Sequence, residues 1–234
     1  LVIANERVLC SGGAGTGKTF LALELARRWT AEGMNVILVC FSPWLKRYLE
    51  SKFIIPNLTI ALYGSIPVAL RRANLETFDA LIVDEGQDLL GMDTLEKLDI
   101  SITGGLNEGR WCFFHDSNNQ AGILAEYDPC ALDYLKSMSP ANIPLRRNCR
   151  NSQLILQKVQ ESLGADMGVR GAGEGPKVRE HVVSSNEESA FILDNEITKI
   201  VEDGGIPFEC ITILSPYSYE ESSACLLPEK TIEN

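Results

Sequence analysis

The sequence predicts an α/β fold built on a parallel β-sheet, and two features lead to that prediction. In its first half, short apolar runs alternate with longer amphipathic stretches. Some of the runs are apolar throughout, as in Val36–Cys40, which is typical of a parallel strand covered on both faces. Strands that alternate with helices form βαβ units, whose functional loops lie at the carboxyl ends of the strands.

Six strands can be placed along the chain, with helices between most of them. The predicted strands are Arg7–Ser11, Val36–Cys40, Leu58–Leu62, Ala80–Val83, Trp111–Phe114 and Asn142–Leu145. Apolar residues four positions apart at Leu21, Leu25 and Trp29 indicate a helix over Lys18–Thr30. A shorter helix over Trp44–Lys52 is expected after a proline.

The composition of the chain changes at Gly164–Pro176, where five glycines and the lack of an apolar period predict a loop or linker. A strand over Lys177–Val183, a helix over Glu187–Glu202 and a strand over Ile211–Leu214 are expected after it. The helix would begin with carboxylates near the positive end of its dipole.

These strands are too few for a complete second sheet with helices on both faces. We therefore expect one domain over residues 1–146. A linker and an incomplete second α/β domain would follow over residues 147–234, with further domains of the same protein beyond residue 234.

Composition narrows the class of protein. The chain is 45% hydrophobic and 23% charged, and no run of about 18 apolar residues is present to span a membrane. Seven scattered cysteines without a Cys-x-x-Cys pair argue against a disulfide framework or a zinc site, so a reducing, cytoplasmic compartment is expected. The net charge of −11 is unusual for a nucleic-acid-binding protein. Binding to nucleic acid would therefore require a local basic groove on this chain, or basic groups supplied by other parts of the protein.

A glycine-rich turn links the first strand to the first helix. It reads Gly12, Gly13, Ala14, Gly15, Thr16, Gly17, Lys18 and Thr19. This Gly-x-x-x-x-Gly-Lys-Thr pattern between a strand and a helix is typical of a phosphate-binding P-loop.

Each residue type in this loop has a physical reason to be there. Glycines let backbone N–H groups surround phosphate oxygens, and the helix directs the positive end of its dipole at the same anion. Lys18 would add a full positive charge at the β- and γ-phosphates, and the Thr19 hydroxyl would ligate Mg²⁺. ATP and Mg²⁺ are therefore the expected cofactors. An accidental Lys-Thr pair after a glycine-rich turn is the alternative, and the flanking strand and helix disfavour it.

The strand Ala80–Val83 ends in two acidic residues, Asp84 and Glu85. Asp84 is predicted to hold Mg²⁺, directly or through water. Glu85 is the candidate general base that polarises the attacking water. The alternative is that the two carboxylates only cap the helix that follows.

Five segments, taken together, resemble the UvrD/Rep-like superfamily 1 DNA helicases over residues 7 to 227. Asp84-Glu85-Gly86-Gln87-Asp88 resembles the family's Asp-Glu-x-Gln-Asp box. The other four are Phe41-Ser42-Pro43 (segment Ia), His115-Asp116-Ser117-Asn118-Asn119-Gln120 (motif III), Leu145-Arg146-Arg147-Asn148-Cys149-Arg150-Asn151-Ser152 (motif IV) and Ile211-Thr212-Ile213-Leu214-Ser215-Pro216 (the opening strand of the second motor domain).

The resemblance implies a P-loop RecA-like fold and a motor that moves on single-stranded DNA, or RNA. It implies that Gln87 and Gln120 sense the γ-phosphate and that Arg150 reaches it from the domain interface. The plainer interpretation is that Gln87 is a polar residue at the start of a helix and that Arg150 is a solvated charge beside two other arginines.

The sequence also departs from the family pattern. Few residues precede Arg7, so the upstream Gln motif that reads adenine is expected to be absent. The stretch between segment Ia and Asp84 is too short for a large 1B domain. His115 stands in place of the family's Gly, Cys149 stands in place of its Tyr, and motifs V and VI do not follow.

Three hypotheses about function stay open at this point. The first is the N-terminal motor region of a superfamily 1 helicase or translocase. The second is a P-loop ATPase switch in signalling or defence that does not move on DNA. The third is a nucleotide-dependent interaction module with little turnover.

Overall fold

The computed structural model describes residues 4–116 and 128–228 of the chain. They fall into two compact units, Leu1–Val178 and Arg179–Asn234. The first unit contains a single six-stranded sheet in which every pair of neighbouring strands is parallel.

All six predicted strands form, with bounds that match the prediction to within one residue at each end. The strands are β1 (Arg7–Gly12), β2 (Val36–Cys40), β3 (Leu58–Leu62), β4 (Ala80–Val83), β5 (Arg110–His115) and β6 (Ala141–Leu145). The helices of this unit are α1 (Lys18–Ala31), α2 (Pro43–Lys52), α3 (Ile66–Ala73), α4 (Met92–Asp99), α5 (Gly105–Glu108), α6 (Pro129–Ser137) and α7 (Gln153–Leu163).

The strand order is β3-β2-β4-β5-β1-β6. Strand β1 therefore lies between β5 and β6, and β5 separates it from β4. In register, Ser11 is opposite His115 and Gly12 is opposite Leu145. The loops that follow β1, β4, β5 and β6 consequently leave the sheet at one edge, where parallel sheets place ligand sites.

Two hydrophobic cores cover the two faces of the sheet. Along β2, Ile37 and Val39 belong to one core while Leu38 belongs to the other, because successive side chains of a strand point to opposite faces. The core that contains Leu38 also holds Trp29 of α1, and the opposite core holds side chains of α3, α4, α5 and α6. Trp29 is fully buried, and burial of a large apolar side chain contributes roughly 1.5–3 kcal/mol.

This architecture confirms the predicted fold class, a P-loop RecA-like parallel sheet with helices on both faces. Helix α1 begins at Lys18 as predicted, and it ends one residue beyond the predicted Thr30. Helix α2 begins at Pro43, where Ser42 caps it by accepting a hydrogen bond from the backbone N–H of Leu45 at 3.3 Å.

The glycine-rich stretch after α7 is a loop, as predicted, and it packs against the segment between β6 and α7. Asn148 N donates to the carbonyl of Arg170 at 2.8 Å, and Ala172 N donates to that of Asn151 at 2.9 Å. The side chain of Gln153 accepts a hydrogen bond from Gly171 N at 2.9 Å. The first compact unit consequently runs to Val178, whereas the sequence placed a domain boundary after residue 146.

The second unit, in its described part, contains helix α8 (Asn186–Glu202) and three short 3-10 turns. Ser185 caps α8 by accepting from Glu188 N at 3.2 Å, and this cap explains why the predicted helix forms. The strands predicted at Lys177–Val183 and Ile211–Leu214 were wrong, since neither segment forms strand pairs there. Local sequence alone predicted those strands, and a strand also requires a neighbour to pair with.

Across the described residues, no helix is both long and apolar enough to cross a membrane.

Candidate nucleotide site

The loop between β1 and α1 has the backbone geometry of a tight anion-binding turn. Gly15 and Gly17 have φ angles of 87° and 89°, in the left-handed region that favours glycine. Thr16 closes the turn, with its hydroxyl donating to the carbonyl of Gly13 at 2.8 Å. Gly17 has no side chain to cap α1, and the described structure shows no other side-chain cap there. The first N–H groups of α1 are thus available to an anion.

The ammonium group of Lys18 lies inside this loop and is almost fully buried. Its Nζ donates to the carbonyl of Gly12 at 2.9 Å and lies 3.3 Å from that of Gly13. It also lies 3.7 Å from Oδ2 of Asp116, and the two side chains are 5% and 2% exposed. Asp116 follows β5, the strand between β1 and β4, so the strand order itself brings it to Lys18. The loop therefore holds a positive charge in place for a phosphate.

Asp84 is the buried carboxylate of the site. It follows β4 and is fully buried; Oδ1 accepts a hydrogen bond from Glu85 N at 3.1 Å, while Oδ2 has no hydrogen-bond partner among the described residues. Burial raises the pKa of Asp84 from 3.8 to about 6, and the adjacent Thr19 hydroxyl acts in the opposite direction.

A buried, unsatisfied carboxylate oxygen beside a threonine hydroxyl fits a hard cation. Mg²⁺ prefers oxygen ligands and is usually bound by one or two carboxylates together with substrate phosphates. The described parts of the chain contain no cluster of three or more His, Cys, Asp or Glu side chains that would hold a metal without a phosphate. The buried carboxylate of Asp84 and the hydroxyl of Thr19 are oxygen donors of the kind that Mg²⁺ prefers, and their role as its ligands stays a prediction.

Glu85, Gln87 and Asp116 form a hydrogen-bonded chain across the carboxyl ends of β4 and β5. The side-chain amide of Gln87 donates to Oε2 of Glu85 at 2.8 Å, and its oxygen accepts from Asp116 N at 2.9 Å. Glu85 has a left-handed backbone, with φ 52° and ψ 48°. A non-glycine residue held in that region costs of order 1–3 kcal/mol and is found mostly at functional sites. Gln87 thus fixes the orientation of the predicted general base.

The segment after β6 is attached to the phosphate loop by Asn148. This side chain is fully buried; its Nδ2 donates to the carbonyl of Ala14 at 2.8 Å, and its Oδ1 accepts from Arg150 N at 3.0 Å. The backbone adds a bond from Cys149 N to the carbonyl of Gly15 at 2.8 Å. A Cβ atom on Gly15 would lie only 2.7 Å from Oδ1 of Asn148. The position of Arg150 relative to the phosphate loop is therefore set by direct contacts.

These elements surround one cavity of about 390 Å³. Its lining residues are Ala14, Gly15, Gly17, Lys18, Thr19, Phe20, Glu85, Cys149 and Arg150. The volume lies within the range of small-molecule sites. The structure thus brings Lys18, Thr19, Glu85 and Arg150 to one place, with Asp84 and Gln87 beside it.

Sequence reasoning assigned no role to Asp116, Asn148 and Phe20. The sequence could have indicated Asp116, because an acidic residue directly after the apolar strand β5 lies at the carboxyl ends of the strands, where the ligand site is expected. Asn148 had none beyond its place in motif IV, because its contacts join residues 134 positions apart. His115 precedes Asp116, and burial lowers the pKa of its imidazole. Gln120 lies outside the described residues.

Comparison with known proteins bears on the class of this domain. Residues 2–101 match a family model described as an AAA domain. Among curated proteins, none matches the chain. The matched residues contain the phosphate loop and the Asp84-Glu85 pair, and together with the sheet they support an AAA-type P-loop ATPase domain in this part of the chain.

Solved structures that the chain matches include a viral helicase and replication initiators. The arterivirus nonstructural protein 10 helicase is 15% identical, with a TM-score of 0.45, over 77% of this chain and 47% of that one. DnaA bound to AMPPCP and single-stranded DNA is 18% identical, with a TM-score of 0.41, over 68% and 46%. AMPPCP-bound DnaA from Aquifex aeolicus is 16% identical, with a TM-score of 0.41, over 88% and 59%. The chain thus spans about half the length of these proteins.

Proposed function

We propose that this chain binds Mg²⁺-ATP and is the ATP-binding part of a superfamily 1 motor that moves on single-stranded nucleic acid. The observation that carries the proposal is the single cavity above the phosphate loop, whose wall contains Lys18, Thr19, Glu85 and Arg150. Phosphoryl transfer requires a positive charge for the phosphates, a ligand for the metal ion, a base for the water and a further positively charged side chain.

Each of these side chains has a distinct task in the proposed reaction. Lys18 leaves the carbonyl of Gly12 and binds the β- and γ-phosphates. Thr19 and Asp84 would hold Mg²⁺, which would neutralise charge on the phosphate oxygens. Glu85, oriented by Gln87, accepts a proton from the attacking water.

Arg150 supplies the positive charge that stabilises the transferring phosphoryl group, as an arginine finger does. Its backbone N–H is bonded to Asn148, which is in turn bonded to the phosphate loop. Loss of the γ-phosphate can therefore move the segment after β6 through a short series of hydrogen bonds. That coupling is the property a motor needs from its first domain.

The nucleic-acid part of the proposal rests on the resemblance to superfamily 1 and on helix α2. This helix starts at the carboxyl end of β2, directly after the segment that resembles Ia. Trp44 is 76% exposed, and the guanidinium of Arg47 lies 5.2 Å from its ring centroid. Exposed aromatic rings with adjacent cations are the usual means of binding single strands. The pair of Trp44 and Arg47 is thus a candidate contact for a single strand, in a chain whose net charge is −11.

One assay tests the proposal: ATP turnover by the chain with and without single-stranded DNA, beside the Glu85→Gln variant. Turnover is expected to be slow without DNA, because a motor couples hydrolysis to movement on its nucleic acid. Stimulation by DNA that disappears in Glu85→Gln supports the motor. Turnover that DNA leaves unchanged favours an ATPase switch, and ATP binding without any turnover under either condition favours an interaction module.

A further inference from the structure

Strand β3 forms one edge of the sheet, and among the described residues its only neighbouring strand is β2. The carbonyl of Asn57 accepts a hydrogen bond from Val36 N at 2.9 Å, which fixes the side that each residue of β3 turns towards β2. Because successive residues of a strand direct their backbone groups to alternate sides, those of Leu58, Ile60 and Leu62 point away from the sheet. This edge of the sheet is therefore open to another strand.

Local contacts occupy two of these outward backbone groups and leave the centre of the strand available. The N–H of Leu58 donates to the carbonyl of Ile55 at 3.2 Å, and the carbonyl of Leu62 accepts from the Ser65 hydroxyl at 2.9 Å. Among the described residues, the N–H and the carbonyl of Ile60 have no hydrogen-bond partner. Strand β3 also has no charged residue or proline to keep a further strand away, whereas β6 at the other edge contains a proline.

The open edge of β3 is the floor of a groove of about 450 Å³. Helix α2 forms one wall and helix α3 the other, and the two helices pack on opposite faces of the sheet. The groove therefore continues the plane of the sheet between its two layers of helices. Ile54 and Val68, which are 93% and 38% exposed, add apolar surface to the groove. Backbone groups along the floor and apolar side chains on both sides are what an added strand requires.

The two helices that form the walls are positively charged. Together α2 and α3 contain five basic residues and one acidic residue, in a chain whose net charge is −11. The acidic residue, Glu50, is paired with Lys46 of the same helix. Arg72 lines the groove from α3 and has no ion-pair partner among the described residues. An acidic segment is therefore attracted to this groove, while a second copy of the chain would bring like charges together.

We propose that the groove along β3 is a docking site for an extended acidic segment of a partner protein, which adds a seventh strand to the sheet. Main-chain hydrogen bonds to Ile60 hold the segment, and Arg72 selects acidic side chains. Nucleic acid fits this groove less well, because Phe53 is the one aromatic residue among its described lining residues and is half-buried. The inference goes beyond the proposed function and does not depend on it.

The test uses a fluorescein-labelled peptide of four Asp-Val pairs, whose binding to the whole chain is followed by fluorescence anisotropy. Two peptides are controls: one of four Lys-Val pairs, and the Asp-Val peptide methylated at every backbone nitrogen. Methylation removes the hydrogen-bond donors of the peptide and leaves its charge unchanged. We expect saturable binding of the Asp-Val peptide, and binding at least about tenfold weaker for each control, because one lacks the pairing groups and the other the charge.

Two variants of the chain locate the binding to the groove. Arg72→Glu should weaken binding of the Asp-Val peptide at least about fivefold, because a charge in the groove is reversed. Arg71→Glu is the matched control, since it makes the same change at the next residue of α3, outside the described lining of the groove. It should change the affinity less than about twofold. Melting temperatures show whether each variant is folded.

Hydrogen exchange in the unmodified chain tests the added strand itself. Exchange at Ile60 N–H should slow at least about tenfold when the Asp-Val peptide is bound, while exchange at Thr59 N–H, which faces β2, should stay the same.

Failure of the Asp-Val peptide to bind, equal binding after methylation, or equal affinities in the two arginine variants would each overturn the inference. If single-stranded DNA displaces the peptide and its own binding falls in Arg72→Glu but not in Arg71→Glu, the groove is a nucleic-acid site and the inference fails. Slower exchange at Ile60 with rising protein concentration, in the absence of peptide, would instead show pairing between two copies of the chain and would also contradict it.

Discussion

Replacing Asp84 by asparagine should make the protein more stable while removing its proposed cation site. The carboxylate is fully buried, and its Oδ2 has no hydrogen-bond partner among the described residues. An amide of the same shape keeps the acceptor for Glu85 N, and it carries no charge that burial penalises. The expected gain in unfolding free energy can be worked out from the pKa of Asp84.

Burial raises that pKa from 3.8 to about 6. One pKa unit corresponds to about 1.4 kcal/mol, so the ionised carboxylate destabilises the native state by about 3 kcal/mol at pH 7.5. Because the native state holds its proton more tightly than the unfolded chain, this penalty grows as pH rises from about 4 to 6. At pH 5 it is about half as large. The advantage of Asp84→Asn should therefore be greatest at pH 7.5 and shrink as the pH falls.

The assay is urea unfolding at pH 5 and pH 7.5, without nucleotide, for the unmodified chain and for Asp84→Asn. Glu76→Gln, which neutralises an exposed carboxylate on the same unit, is the control and should change little at either pH. Addition of Mg²⁺-ATP should then stabilise the unmodified chain more than the variant. An Asp84→Asn variant that is no more stable at pH 7.5, or whose advantage is the same at pH 5, would refute the reasoning.

Two further predictions concern the contacts around the cavity. Arg150→Ala should change ATP affinity by less than about threefold and lower turnover at least about tenfold, because a finger arginine acts on the transition state. Arg146→Ala is the control. Equal turnover in the two variants would contradict the assignment of Arg150 as the finger. Gly15→Ala should lower the unfolding free energy by about 1–3 kcal/mol, because of its positive φ and the nearby Asn148 side chain. Gly64→Ala, with nothing within 4 Å of the added Cβ, should leave the melting temperature almost unchanged. Equal melting temperatures for the two variants would contradict the close contact between Gly15 and Asn148.

Local patterns in the sequence predicted the first unit well, since its strands are buried and its helices have clear start signals. Val36–Cys40 is apolar throughout because both faces are covered, and Lys18 begins a helix because the glycine turn precedes it. The same reasoning failed at Ile211–Leu214, where an apolar run has no neighbouring strand in the described part of its unit. A strand depends on its pairing partner, which local sequence does not reveal.

In the candidate site, too, short local motifs were predicted and contacts between distant segments were not. The phosphate loop and Asp84 were predicted, because each is a short motif at the end of a strand. The hydrogen bond between Asn148 and Ala14 was not predicted, because it joins segments that are distant in the chain and adjacent only through the strand order β5-β1-β6. Asp116 lies beside Lys18 for a similar reason, since its strand stands between β1 and β4.

The most direct test of the account is titration calorimetry of Mg²⁺-ATP with the unmodified chain and with Lys18→Ala. Lys52→Ala is the matched control, because it removes an exposed lysine from the end of α2. We expect saturable binding by the unmodified chain and by Lys52→Ala, and no measurable binding by a folded Lys18→Ala variant. Undiminished affinity in Lys18→Ala, or no binding by the unmodified chain, would contradict the assignment of the phosphate loop as a nucleotide site.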